Sequence, residues 1–199
     1  MFNLPDIYRG LYGGLPKLVC EVGVNEPDKC SVADFIRDGI EAILVEPLPW
    51  CAENLRRAFP TACVLQAVCG DSEGKVILYD RGEGSWIGDV PQGTAPDEHE
   101  NHSALKREGF NPAFVREVES ITFDKIDPGT IDILCVDTEG AEWFVVKRMV
   151  SVPRLVRLET HFTHSGWKNP FTNEIHSAML MQRYTKLGED VSDSLWALI

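Results

Sequence analysis

The chain has 199 residues, 44% of them hydrophobic, and 19 basic against 31 acidic side chains give a formal net charge of −12. That length supports one domain with a sizeable core and is short for two. The acidity argues against a nucleic-acid backbone as partner, and no run of about 18 apolar residues offers a membrane span.

Short basic pairs such as Arg56-Arg57 and Lys147-Arg148 fall in helix-like segments where a solvated face accounts for them. The first residues lack the basic and apolar regions of a signal peptide. None of the six cysteines stands in a C-x-x-C, and Cys20, Cys63, Cys69 and Cys135 lie in strand-like apolar runs. Buried free thiols in a reducing compartment are the expectation, and with them a cytoplasmic location.

Residues 1–17, with Gly, Pro and Tyr, read as an irregular arm. Leu18 to Asn25 then reads as a buried strand breaking at Gly23, where a missing Cβ permits a sharp turn and close approach of a ligand. A helix pattern follows from Ser31, with Val32, Phe35, Ile36 and Ile40 on one face, a serine cap and Gly39 as terminator. Strand, glycine turn and helix make the nucleotide-binding corner of a doubly wound α/β fold. Glu21, just before the turn, suits a cationic amino group and repels a pyrophosphate, which favours S-adenosylmethionine over NAD.

Ala42 to Pro47 is a second strand ending on Glu46. It lies about twenty residues beyond the glycine corner, where a carboxylate can accept hydrogen bonds from both ribose hydroxyls. Pro49 to Phe59 suits a helix with Trp50, Leu55 and Phe59 inward, and Ala62 to Cys69 a third strand. A turn at 70–74 leads to a strand over Lys75–Tyr79. The stretch 81–112 has little period and reads as a lid or substrate-recognition insertion. Its acidic and histidine-rich run, Asp97 to His102, reads as a hydrophilic loop.

Order returns at Val118–Phe123 and again in the buried strand Ile131–Asp137. A helix is expected from the Asp137–Glu142 segment to Met149, then a strand over Leu155–His161. Ile175–Leu187 reads as the last helix, with Met179, Leu180, Tyr184 and Leu187 on one face, and Ser194–Ile199 as the final strand. Trp86 and Trp167, in loop-like stretches, could stack on a sugar ring or anchor locally.

Several blocks together resemble the FkbM family of S-adenosylmethionine-dependent methyltransferases. They are Glu21–Asn25, Val45–Pro47, Gln66–Val68, Ile121–Asp124, Asp132–Glu142 and Leu158–His161, in the family's order from about residue 18 to 165. Val136 to Glu142 is the specific block; the glycine corner alone would fit any class I methyltransferase. The resemblance implies a single domain over 1–199 with a Rossmann-like class I methyltransferase fold, a mostly parallel seven-stranded sheet flanked by helices with the last strand antiparallel. It also implies O-methylation of a hydroxyl on a sugar, glycan or small natural product. By position, it places Glu21, Gly23 and Asn25 at the methionine part of the cofactor and Glu46 at the ribose. Pro47 shapes the turn, Ala67 and Val68 flank the adenine, and Asp137 and Glu139 face the methyl group and the acceptor.

A hydroxyl acceptor benefits from a base, for which Asp137 and His161 are the candidates. No metal is expected, although Asp137, Glu139, His161 and His164 could converge on one. Glu142 reads as a helix cap. Pro27 stands where the family pattern has a glycine, so either the loop carries an insertion or the first helix starts late. That departure keeps a catalytically silent binding module as the alternative, while the absence of G-x-G-x-x-G argues against an NAD-dependent oxidoreductase. The expected partner is a small-molecule or carbohydrate acceptor, with no nucleic acid and no membrane; oligomeric state is not legible.

Overall fold

Leu18–Val22 forms the central strand β1, as its unbroken apolar run predicts, and the remaining elements are arranged around it. The computed structural model describes residues 2–80, 85–87, 115–163 and 166–199, without the side chains of Trp86, Phe162 and Trp167. The following strands are β2 (Glu41–Val45), β3 (Cys63–Leu65), β4 (Val68–Cys69), β5 (Gly74–Tyr79), β6 (Trp86–Ile87) and β7 (Val115–Ile121). After them come β8 (Ile133–Val136), β9 (Leu155–Glu159), β10 (His161–Phe162), β11 (Trp167–Lys168), β12 (Thr185–Glu189) and β13 (Asp193–Ala197). The helices are α1 (Leu4–Tyr12), α2 (Ala33–Arg37), α3 (Pro49–Ala58), α4 (Glu142–Val146) and α5 (Thr172–Met181).

The main sheet has the order β12-β13-β9-β8-β1-β2-β3. Strands β3, β2, β1, β8 and β9 are mutually parallel, and β13, the last strand in the chain, runs antiparallel to both β9 and β12. This is the expected class I methyltransferase architecture. Strands β4 to β7 form a second sheet in the order β4-β7-β5-β6.

The parallel strands are apolar on both sides because both faces are covered. On one side Val19, Leu44, Ile133 and Leu155 pack with Leu4, Tyr8, Phe35 and Leu55 from the helices. On the other, Val22, Leu134, Val156 and Trp196 meet Val145, Ile175, Met179 and Tyr184.

Several expectations need correction. Residues 1–17 are not simply an irregular arm, since Leu4–Tyr12 is helical. The Asn3 side chain caps it, accepting from the Asp6 amide at 3.1 Å, Pro5 sits in the first turn, and Gly13 ends it at φ +70°. The proline and glycine that looked like breakers are its start and stop signals. Tyr8 is 2% exposed, and the Tyr12 hydroxyl reaches the carbonyl oxygens of Arg154 and Leu198.

The Ser31 side chain does not cap α2, which starts only at Ala33; the Ser31 hydroxyl instead accepts from Arg157. Ala62–Cys69 is two strands in two sheets, divided at Gln66-Ala67. Ile175–Leu187 is not one helix: α5 ends at Met181, Arg183 takes φ +68°, and Leu187 belongs to β12. Leu180 is accordingly 62% exposed. Trp50 lies on the outer side of α3 with the Arg116 guanidinium 4.7 Å from its ring, and Cys63 is exposed on the sheet's edge strand.

If α1 is an integral part of the core, Tyr8→Ala will destabilise the chain by about 3–5 kcal/mol, as large-to-small aromatic truncations do. Urea unfolding measures this; a loss under about 1 kcal/mol would mean that the helix is not docked.

Candidate functional site

The parallel register builds the site. Val22 pairs with Val45 and Val136, Val45 with Leu65, and Val136 with Leu158. One residue further along, the same five strands present Gln66, Glu46, Gly23, Asp137 and Glu159 as a row at the carboxyl edge. A cavity of about 310 Å³ lies along this edge. Its lining includes Glu21, Gly23, Asn25, Glu46, Pro47, Ala67, Val68, Asp137 and Glu139.

Gly23 is irreplaceable by geometry. It has φ +81°, and a Cβ there would lie 1.7 Å from the Asp137 carbonyl oxygen. The Gly23 amide donates to Val45 O and the Asp137 amide to Val22 O, both at 2.9 Å, so the three strand ends are clamped together.

Glu21 is buried and its carboxylate is already engaged. It accepts from the Ser31 amide at 2.9 and 3.0 Å, from the Val32 amide at 3.2 Å and from the Cys30 thiol at 3.2 Å. Burial pushes its pKa up and these hydrogen bonds pull it back. The acid therefore fixes the loop that leads into α2, while still lining the cavity. That helix starts at Ala33, and Pro27 is not in the cavity wall.

Glu46 is 4% exposed. Its Oε2 accepts from the Asn25 amide at 2.7 Å and its Oε1 from the Leu48 amide at 2.9 Å. Asn25 reaches this bond by adopting φ +62°. Beyond Glu46 the wall becomes apolar, with Leu48, Val68, Leu78 and Ile87.

At the other end Asp137, Glu139 and Glu159 each offer a carboxylate oxygen, all within 4.8 Å of one another. Glu139 is held at φ +54° ahead of Gly140 at φ +107°. Glu142 organises this loop: its carboxylate accepts from the Thr138 amide and hydroxyl, the Gly140 amide and the Asn169 side chain. Arg157, next to the trio, donates to Asp193 at 2.6 Å and to the Ser31 hydroxyl.

His161 is set apart from the cavity. Its Nε2 lies 3.0 Å from the Asp190 carbonyl oxygen and its Nδ1 lies 3.1 Å from the Thr160 hydroxyl. The structure instead brings in Glu159 and Arg157, which sequence reasoning passed over. The signal was available, because Arg157 is a charge inside an apolar strand run and Glu159 ends the strand as Asp137 follows its neighbour. His164, the Asp97–His102 run, the side chains of Trp86 and Trp167, and the 81–112 insertion apart from residues 85–87 lie outside the described residues.

Two outcomes follow. Gly23→Ala is expected to destabilise the chain by about 3 kcal/mol, because backbone must move and positive φ is strained. Gly39→Ala, at φ +84° with open space around it, should cost only about 1 kcal/mol. Equal losses in urea unfolding would mean that the Asp137 contact is not the constraint.

The second outcome concerns pH. Burial, then Glu142 and Asp193, raise the Asp137 carboxyl above its ordinary range, and burial with Asp137 and Glu139 raises Glu159 well above it. Above pH of about 4 the unfolded chain has released protons that the folded chain keeps. The resulting stabilisation is fully present below that pH and is lost as pH rises through the folded values. With chelator present, unfolding free energy should fall more steeply with rising pH in wild type than in Asp137→Asn; parallel slopes would contradict the assignment.

The residues that build the glycine corner, Glu46 one strand over and the acidic loop after β8 all fall within the span of a known domain. No curated protein matches the chain, but the methyltransferase FkbM domain matches it over residues 21–188, which takes in every strand end that lines the cavity. With that extent of match and this sheet order, the chain belongs to the FkbM methyltransferase family.

Proposed function

We propose that the chain binds S-adenosylmethionine in this cavity and methylates a hydroxyl group on a sugar, glycan or small natural product. The observation that carries the reading is the chemistry of the wall. Glu21, Glu46, Asp137, Glu139 and Glu159 face Lys29 and Arg157. An excess of carboxylates attracts a cationic ligand and opposes a pyrophosphate, so it favours a sulfonium cofactor over a dinucleotide.

The residues fit that cofactor in parts. Each Glu46 oxygen takes one backbone N–H and keeps acceptor capacity for a ribose hydroxyl. Leu48, Val68, Leu78 and Ile87 provide an apolar wall for a flat ring beside Ala67. When bound, the cofactor supplies a methyl group activated by positive sulfur. The chain supplies alignment, exclusion of water and, at Asp137 by position, a carboxylate to take the acceptor hydroxyl's proton. Five of the six free cysteines are buried, which fits action in the reducing cytoplasm, and no described helix is long and apolar enough to cross a membrane.

Calorimetry with S-adenosylmethionine and with its demethylated product tests the reading. Both should bind, and Glu46→Ala should weaken the affinity by about 1–3 kcal/mol, with its melting temperature followed alongside because two backbone N–H groups also lose a partner. An absence of heat with either ligand at millimolar concentration would favour the silent binding module.

A further inference from the structure

We propose that Asp137, Glu139 and Glu159 bind one hard divalent cation, of the magnesium or manganese class, at the acceptor end of the cavity. Two independent observations meet there. The first is convergence: three carboxylates from two neighbouring strand ends present oxygens within 4.8 Å of one another. Ligand oxygens around such an ion lie roughly 3–4 Å apart, given metal–oxygen distances of about 2.1 Å, so only small side-chain adjustments are needed.

The second is an unmet polar atom. Glu159 is 3% exposed and lines the cavity, yet its Oε2 has no hydrogen-bond partner. Buried polar atoms are rarely left in this state, and a carboxylate oxygen can only accept or coordinate. The side-chain contact of Glu159 with the Asp137 carboxyl pairs two acids, which a proton or a cation has to bridge. Arg157, in the same wall, directs its two terminal nitrogens to Asp193 and Ser31, while Glu142 is engaged by the Thr138–Gly140 loop.

The donor set selects the ion. All three donors are carboxylates, and the imidazole of His161 is turned to Asp190 and Thr160, so oxygen-seeking cations are favoured over zinc. Three protein ligands leave coordination positions for an acceptor. An acceptor with two adjacent oxygens, such as a vicinal diol or a hydroxy acid, would chelate the ion, which would lower the pKa of the hydroxyl to be methylated. This role rests on the methyl-transfer reading; the ion site itself does not.

The test is titration of the chelator-treated full-length chain with Mn²⁺, following loss of the free-ion electron paramagnetic resonance signal. S-adenosylmethionine affinity is measured separately by calorimetry. One Mn²⁺ per chain is expected, with affinity falling at least about tenfold in Glu159→Gln and in Asp137→Asn, since each removes a charged ligand. Glu117→Gln, at an exposed carboxylate paired with Lys75, should leave it unchanged. Without Mn²⁺ the two site variants should melt no lower than wild type, and wild type should gain more stability than either on adding it. An unchanged signal with wild type, or equal binding by wild type and Glu159→Gln, overturns the site. Mn²⁺ bound without any S-adenosylmethionine binding would keep the site and overturn the methyl-transfer reading instead.

Discussion

Everything at the carboxyl edge depends on how closely two strand ends approach at Gly23. The Asp137 carbonyl occupies the space a side chain would need, and β1 is clamped by donating a backbone hydrogen bond to β2 and accepting one from the residue after β8. Because the sheet is parallel, fixing one strand end fixes its neighbours in the same row. Glu46, Asp137 and Glu159 therefore become neighbours through register, although they are far apart in the sequence. Loops can vary around such a row without moving it.

Burial gives the row its chemistry. Glu21 and Glu46 look alike in sequence, as acids at strand ends, and are used in different ways. Glu21 is consumed by the Cys30–Val32 turn and so shapes the corner from beneath. Glu46 meets one amide per oxygen and keeps capacity facing the cavity. At Asp137 and Glu159 burial and the neighbouring carboxylates outweigh their mutual hydrogen bond, so their protons are held more tightly.

The sheet and the glycine-corner side of the cavity were legible because buried parallel strands write themselves as short apolar runs ending in a glycine or an acid. Gly23, Glu46 and Asp137 could be read in this way. The α1 helix was not, since Pro5 and Gly13 look like breakers until their places at the helix start and end are known. Strand β12 was also missed: Tyr184 and Leu187 continue a helical spacing, and only the turn at Arg183 reveals that the chain has reversed. The Asp137–Glu159 end of the cavity failed for a different reason. A histidine in a matching block drew attention, whereas Glu159 is identified by cross-strand register, which a single sequence does not display.

Arg157 lies within β9, where it holds Asp193 and touches Ser31, so this largely covered cation near the acidic trio is fixed by the sheet itself. Its counterparts elsewhere, such as Lys75 with Glu117, sit on long exposed stems that dissolved ions readily shield. Mobile ions reach the Arg157–Asp193 pair poorly, so its share of the field in the cavity should hardly change between dilute buffer and the ionic strength of a cell.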